Sequence, residues 1–376
     1  MAMKTLDEQD IEDLLVGAKI LGAGGGGETR WARPMVEEVY AKKKKFRLIS
    51  LEEIPNEEIV MIVGSVGGGV SKEDKRKVAH VPVIKEKSVL LAAKALAEYL
   101  GKEPYAFFPS EMGPENTMVP MYVAAMVDRT CIDADACGRA KPEISLSTTN
   151  VMGLHASPLG IVTPFGDTII VKNAVNDARA EDICRRIAVA SGGICAVARC
   201  PTKGKDIKKA VVPNSISETI KIGRSIRQAK KRGHDPVKAF IKTSQAYLLF
   251  EGKVKSYERR EEGGHMWGTI CLTGIEDFKK DKLRVWYKNE YLIAWLNERP
   301  YVTCPDTICI VDAETGEGLS VWGQEFTKNR EIAVLGRKAH KIWRTEKGIE
   351  LFSPKHFGFH IKYEPIESLV KHRSGE

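Results

Sequence analysis

Residues 59–69 read IVMIVGSVGGG, and the fold turns on how this stretch is taken. Five apolar residues in succession (59–63) suit a strand buried on both faces, and the small and glycine residues behind them suit a turn. Reading outward, residues 89–100 form a helical pattern with Leu90, Leu91, Ala95 and Leu96 on its apolar face, stopped by Gly101. A short strand at 105–108, a helix at 117–127 and a strand at 130–133 follow, and another strand (46–50) precedes. Strands alternating with helices imply a parallel sheet covered by helices. At the N-terminus, Thr5-Leu6-Asp7-Glu8 has capping-box spacing ahead of Ile11, Leu14, Leu15 and Ala18. A short helix is expected at 35–41.

The pattern changes between residues 150 and 168. Residues 158–173 read as a hairpin turning at Phe165-Gly166-Asp167. Helices at 179–191 and 215–232 flank a strand at 194–199. Short strands follow at 246–254, 267–273, 283–287, 291–296 and 307–311, punctuated by Gly, Asn and Asp. The expected architecture is an α/β N-terminal domain with a mainly parallel sheet, residues 1–160. A β-rich α+β C-terminal domain, residues 161–376, completes it, with a tail free to pack back on the first domain.

Composition narrows the class. With 376 residues, 43% of them hydrophobic and 29% charged, the chain is too apolar for a disordered protein and long enough for two domains. Eight cysteines form no C-x-x-C pair and suit reduced thiols. No apolar run approaches the roughly 20 residues of a membrane span, and the polar, acidic first ten residues do not suit a signal peptide, so a cytoplasmic protein is expected. The formal charge is +8, yet residues 203–260 carry 16 Lys+Arg against 5 Asp+Glu, which leaves −3 for the remainder. That segment is either a solvated lysine-rich face or a surface for an anionic partner. No basic motif with interleaved aromatics accompanies it, which argues against nucleic acid.

Four segments can carry chemistry. In the run Gly24, Gly25, Gly26 and Gly27, successive N–H groups can form an anion-binding nest. The run neither follows a strand nor ends in Gly-Lys-Ser/Thr, so it is neither a dinucleotide fingerprint nor a P-loop. Gly67, Gly68 and Gly69 lie beyond a strand end, where α/β sheets place their ligands. Glu111 stands after the 105–108 strand, and Asn116 is placed to cap the next helix. Asp133 and Asp135 project alike from extended chain, and such a pair can divide into acid and base or hold a divalent metal. Arg139 offers a forked clamp for a carboxylate or carbonyl, or else bridges to an aspartate as scaffold. Cys137 has no histidine near it in sequence. His356 and His360 have H-x-x-x-H spacing, but in a segment that reads as extended, which does not suit a helical metal pair. No cofactor motif is evident.

Taken in order, these stretches resemble the S-methyl-thiohydantoin desulfurase family, formerly a domain of unknown function and often encoded beside hydantoinase/oxoprolinase proteins. The resemblance rests on LGAGGGGE (21–28), VGSVGGG (63–69), 111–116, 119–125, DADACGRAKPE (133–143), NEYL (289–292), PDTICIVD (305–312), Thr315-Gly316 and SPKHFG (353–358). Three features depart from the family pattern: Pro114-Glu115 inside the acidic loop, Cys137 ahead of Gly138-Arg139, and no proline after Gly69. The resemblance implies two domains with the site between them. It also implies a hydrolase acting on a small cyclic amide-type substrate such as an S-methyl-thiohydantoin. In that reading Glu111, Asp133, Asp135 and Arg139 are the catalytic candidates. Gly24–Gly27, Gly67–Gly69 and Asn116 would bind substrate. The other reading is a non-catalytic partner subunit of a hydantoinase/oxoprolinase-type enzyme, and a homo-oligomer is compatible with either.

Overall fold

A computed structural model of the chain describes residues 3–374. The first part runs β1 (Lys4–Thr5), α1 (Glu8–Leu21), α2 (Thr29–Ala41), β2 (Arg47–Ile49), β3 (Ile59–Gly67), α3 (Lys72–Val78), α4 (Ser88–Leu100), β4 (Ala106–Phe108), α5 (Pro114–Met126), β5 (Thr130–Ile132) and β6 (Ala134–Asp135). The middle runs α6 (Thr148–Val151), β7 (Leu159–Val162), β8 (Thr168–Val171), α7 (Asp177–Ala190), β9 (Ile194–Lys203), α8 (Gly204–Ile207), β10 (Val212–Pro213), α9 (Ser215–Lys231) and α10 (Pro236–Ser244). The last part holds β11 (Tyr247–Glu262), β12 (His265–Gly274), β13 (Lys282–Lys288), β14 (Glu290–Leu296), β15 (Arg299–Thr303), β16 (Thr307–Asp312), β17 (Glu331–Arg337), α11 (Glu346–Leu351) and α12 (Ile366–Ser374).

An eight-stranded sheet has the order β1-β2-β5-β4-β3-β9-β7-β8. Its β2-β5-β4-β3 block is parallel, as the alternation of strands and helices predicts. The antiparallel strands β9, β7 and β8, all from residue 159 onward, extend it. A second sheet, β15-β14-β13-β12-β11-β17-β16, is antiparallel throughout. The fold class is therefore an α/β part followed by a β-rich part with helices.

Three local expectations change. Residues 64–67 do not turn: β3 runs on to Gly67 because β9 offers it a ladder, with Gly64 opposite Val197 and Gly67 opposite Ile194. Thr5 does not cap α1, since it pairs with Arg47 in the sheet. Asp7 is the cap instead, accepting the Asp10 N–H at 2.7 Å. Asn116 is not a cap either, because α5 starts earlier, with Gly113 before Pro114.

One core joins the two sheets. Leu14, Leu15, Ile216 and Ile220, from α1 and α9, pack with Cys309, Val311, Ala333 and Leu335 of the second sheet, and with Val63 and Phe107 of the first. Fully burying each such leucine or isoleucine contributes about 1.5–3 kcal/mol. The helix pair is close: a Cβ on Gly223 would lie 1.8 Å from the Asp13 carbonyl oxygen. Ile366 of α12 packs into the second sheet's core.

Much of the charge of segment 203–260 is taken up within the fold. Lys203 and Lys205 share Glu57, Arg224 and Arg227 hold Asp10 and Asp13, and Lys230 and Lys253 meet Glu317 and Glu331. All eight cysteines are unpaired. Among the described residues no helix is long and apolar enough to cross a membrane.

Candidate active site

The glycine run after α1 is threaded between the two sheets. The Ala23 carbonyl accepts the Tyr291 N–H of β14 at 2.7 Å, and the Gly24 carbonyl accepts from Val321 at 2.9 Å. Gly26, at φ +71°, backs onto Gly113: a Cβ on Gly26 would lie 2.7 Å from the Gly113 Cα, and one on Gly113 2.4 Å from the Gly26 Cα. Glycine is needed on both sides for the loop to reach the start of α5. The Gly26 carbonyl accepts the Asn116 N–H at 3.2 Å.

That threading closes one wall of a cleft of about 220 Å³. Gly26 and Gly27 line it with Gly67 and Gly68, Glu111 and Asn116. Other predicted residues lie elsewhere. Gly24 packs beneath the Tyr291 ring, Gly25 against the Glu290 carboxylate and Gly69 against Glu261. Asp133 receives the Ser217 N–H at 2.9 Å and the Ser217 hydroxyl, at the start of α9. Asp135 is fully buried and accepts the N–H groups of Cys137 (2.9 Å) and Gly138 (2.7 Å). Arg139 is buried too; it donates to the carbonyls of Ala140 (2.9 Å), Asp306 (2.9 Å) and Tyr291 (2.6 Å). It clamps backbone, tying the loop after β6 to β14 and the start of β16 of the second sheet. Cys137 is buried, and burial pushes its thiol well above the usual range.

The same segment delivers two cleft residues that motif reading passed over. The chain turns at Gly138 (φ +86°), after which Lys141 and Glu143 face the cleft. Lys141, its side chain 1% exposed, lies 3.4 Å from Glu111 Oε2 and donates to Ser110 Oγ at 2.8 Å. Glu111 also receives the Asn116 amide and the Lys141 N–H. Glu143 is bound by Lys288 and by His356 at 2.9 Å. Burial opposes its ionisation, but the His356 hydrogen bond and the Lys288 charge hold it well below the usual carboxylate range. His356 thus serves a carboxylate. Among the described residues no group of three or more His, Cys, Asp or Glu is arranged to hold a metal ion.

The opposite wall comes from the second sheet. Asn289 (φ +59°) forms the bend between β13 and β14, held by its side chain accepting the Met266 N–H at 2.8 Å. The bend projects Glu290 into the cleft. Glu290 is 3% exposed, and its Oε2 has no hydrogen-bond partner. Burial first, and then the Glu111 charge, push its carboxyl well above the usual range, with Arg139 and Lys141 opposing. Glu115, also at the cleft, is pushed up to about 7 by burial. Buried Arg185 holds the rim by donating to the carbonyls of Gly67, Gly264 and Pro142. Trp31 and Trp322 pack edge to face at the cleft, their centroids 5.9 Å apart.

Asp135 gives a test of these environments that needs no substrate. Burial pushes its carboxyl up to about 7. Its folded pKa exceeds the unfolded value, so the native state binds more protons between the two. The stability it contributes is present below about pH 4 and is lost as pH rises toward 7. Asp135→Asn is expected to flatten this part of the stability curve relative to wild type, in urea melts between pH 4 and 7. Parallel curves would contradict the assignment.

Fold and cleft together define a two-sheet protein whose carboxylates and cations meet where the α/β part joins the β-rich part. The chain belongs to the S-Me-THD-like family: the family's N-terminal domain matches residues 9–173 and its C-terminal domain residues 175–366. A crystal structure of a protein from Chromobacterium violaceum, a structural-genomics target, shares the fold with a TM-score of 0.79 at 22% identity. The match covers 96% of this chain and 100% of that one. No curated protein sequence matches the chain.

Proposed function

We propose that the cleft hydrolyses a small S-alkylated cyclic amide, such as an S-methyl-thiohydantoin, to the ring carbonyl and a thiol. One observation carries this reading: Glu290, 3% exposed and with its Oε2 unpartnered, shares the cleft with Glu111, which sits in an ion pair with Lys141, and burial pushes the Glu290 carboxyl well above its usual range. Two carboxyls whose environments separate their protonation states are what acid–base addition of water requires. Glu111 takes a proton from water as its oxygen bonds to the ring carbon between the nitrogens, and Glu290 gives its proton to the ring nitrogen. On collapse the carbon–sulfur bond breaks: Glu111 returns its proton to the sulfur, and Glu290 takes the hydroxyl proton. Both groups end as they began, and the products are the carbonyl ring and the thiol.

In this reading Asp133 and Asp135 support the loop rather than the chemistry. Incubating purified protein with an S-methyl-thiohydantoin is expected to release methanethiol, and Asp133→Asn to retain the rate within about twofold. Absence of release from wild-type protein would remove the reading. The alternative, a non-catalytic partner subunit, drew on the basic 203–260 segment, in which nine of the sixteen Lys and Arg are engaged in intramolecular ion pairs among the described residues.

A further inference from the structure

Arg199 sits on β9 opposite Ile62, is 3% exposed and lines the cleft. A guanidinium carries five N–H donors. Among the described residues Arg199 has one hydrogen-bond partner, the Ser110 hydroxyl, and no carboxylate within ion-pair distance. Ser110 Oγ is already shared with Lys141. The other buried arginines of this region differ. Arg139 spends its donors on three carbonyls, and Arg185 on three carbonyls and Glu181. A buried cation without a counter-charge is costly. Burial accordingly lowers the Arg199 pKa. The charge is accounted for if an acceptor arrives with the ligand.

We propose that Arg199, Ser110 and Lys141 form a buried donor site for a negatively charged or polarised oxygen of the cleft's ligand. The inference rests on the reading of the cleft as a ring-binding site and adds the group that orients the ring. The oxygen belongs either to a ring carbonyl or to a carboxylate substituent, and the guanidinium fork suits both. The residue is legible only in three dimensions, because an arginine inside a strand carries no motif.

Calorimetric titration with hydantoin, hydantoin-5-acetate and acetate, each against wild type, Arg199→Met and Arg199→Lys, tests the proposal. Wild type is expected to bind at least one ring, Arg199→Met to lose at least tenfold in affinity, and Arg199→Lys to recover part of it. Equal affinity for the two rings assigns the oxygen to the ring carbonyl; preference for the acetate derivative assigns it to the carboxylate. Without ligand, Arg199→Met is expected to hold or raise Tm, since it removes an uncompensated buried charge. A clear fall in Tm, or ring binding unchanged in Arg199→Met, would overturn the proposal. If neither ring binds wild type, the ring-binding reading fails. Acetate then decides the donor site: Arg199-dependent binding supports it, and no binding overturns it.

Discussion

Replacing Glu290 by glutamine is expected to lower turnover of an S-methyl-thiohydantoin by roughly 10²–10⁴-fold while leaving ring binding within a few-fold. Glutamine keeps the shape and one acceptor oxygen for the Gly26 N–H but has no proton to give at the ring nitrogen. Glu111→Gln is expected to lose turnover on the same scale, for the opposite reason: the water loses its base. The pH profile separates the two. The proposed reaction uses Glu290 in its protonated form, and burial raises its pKa, so the wild-type rate is expected to fall on the alkaline side as that proton is lost. The residual activity of Glu290→Gln should lack that alkaline limb. An unchanged profile in Glu290→Gln would take the acid role away from this residue.

The largest effect on stability is expected at Arg139. Arg139→Met leaves three buried carbonyls, of Ala140, Tyr291 and Asp306, without their donor. Each orphaned acceptor costs about 1–3 kcal/mol, partly offset by removal of a buried charge, so a net loss of about 3–5 kcal/mol is expected. For a chain of this size that corresponds to roughly 4–6 °C in Tm. Because the clamp joins the loop after β6 to β14 and the start of β16, the loss also loosens Glu290 against Glu111. Arg139→Lys keeps the charge but not the fork and is expected to recover only part of the stability. A Tm within about 2 °C of wild type for Arg139→Met would show that the clamp is redundant.

What the sequence discloses follows from the range of the interactions. The parallel block and the helices α1, α4 and α9 are written in local periodicity, and the left-handed Gly101 that ends α4 is visible as a glycine behind an apolar stripe. β15, β17 and α10 escape notice: β17 carries a continuous apolar run whose pairing with β11 and β16 is set by distant chain. The site follows the same rule. Gly26, Gly67 and Glu111 are legible because unusual residues cluster there, in a glycine run behind a helix and in glycines and an acid at strand ends. In the 133–143 motif the acids draw attention, yet two residues of strand cannot say which side chains reach a cleft formed after a turn at Gly138. Asp133 and Asp135 are spent on backbone N–H groups and a serine, while Lys141 and Glu143 emerge into the cleft. Arg199 carries no local signature, and Glu290 lies in the NEYL stretch without a chemical signal of its own. Each acquires its character from burial beside residues far away in sequence.

In the proposed reaction water adds to a ring carbon held between Glu111 and Glu290, and isotope transfer follows that oxygen. Turnover of an S-methyl-thiohydantoin in ¹⁸O-labelled water is predicted to give one methanethiol for each ring carbonyl carrying one ¹⁸O, with both products lost together in Glu111→Gln and Glu290→Gln. Thiol released without label in the ring, or labelled product formed undiminished by both variants, would contradict it.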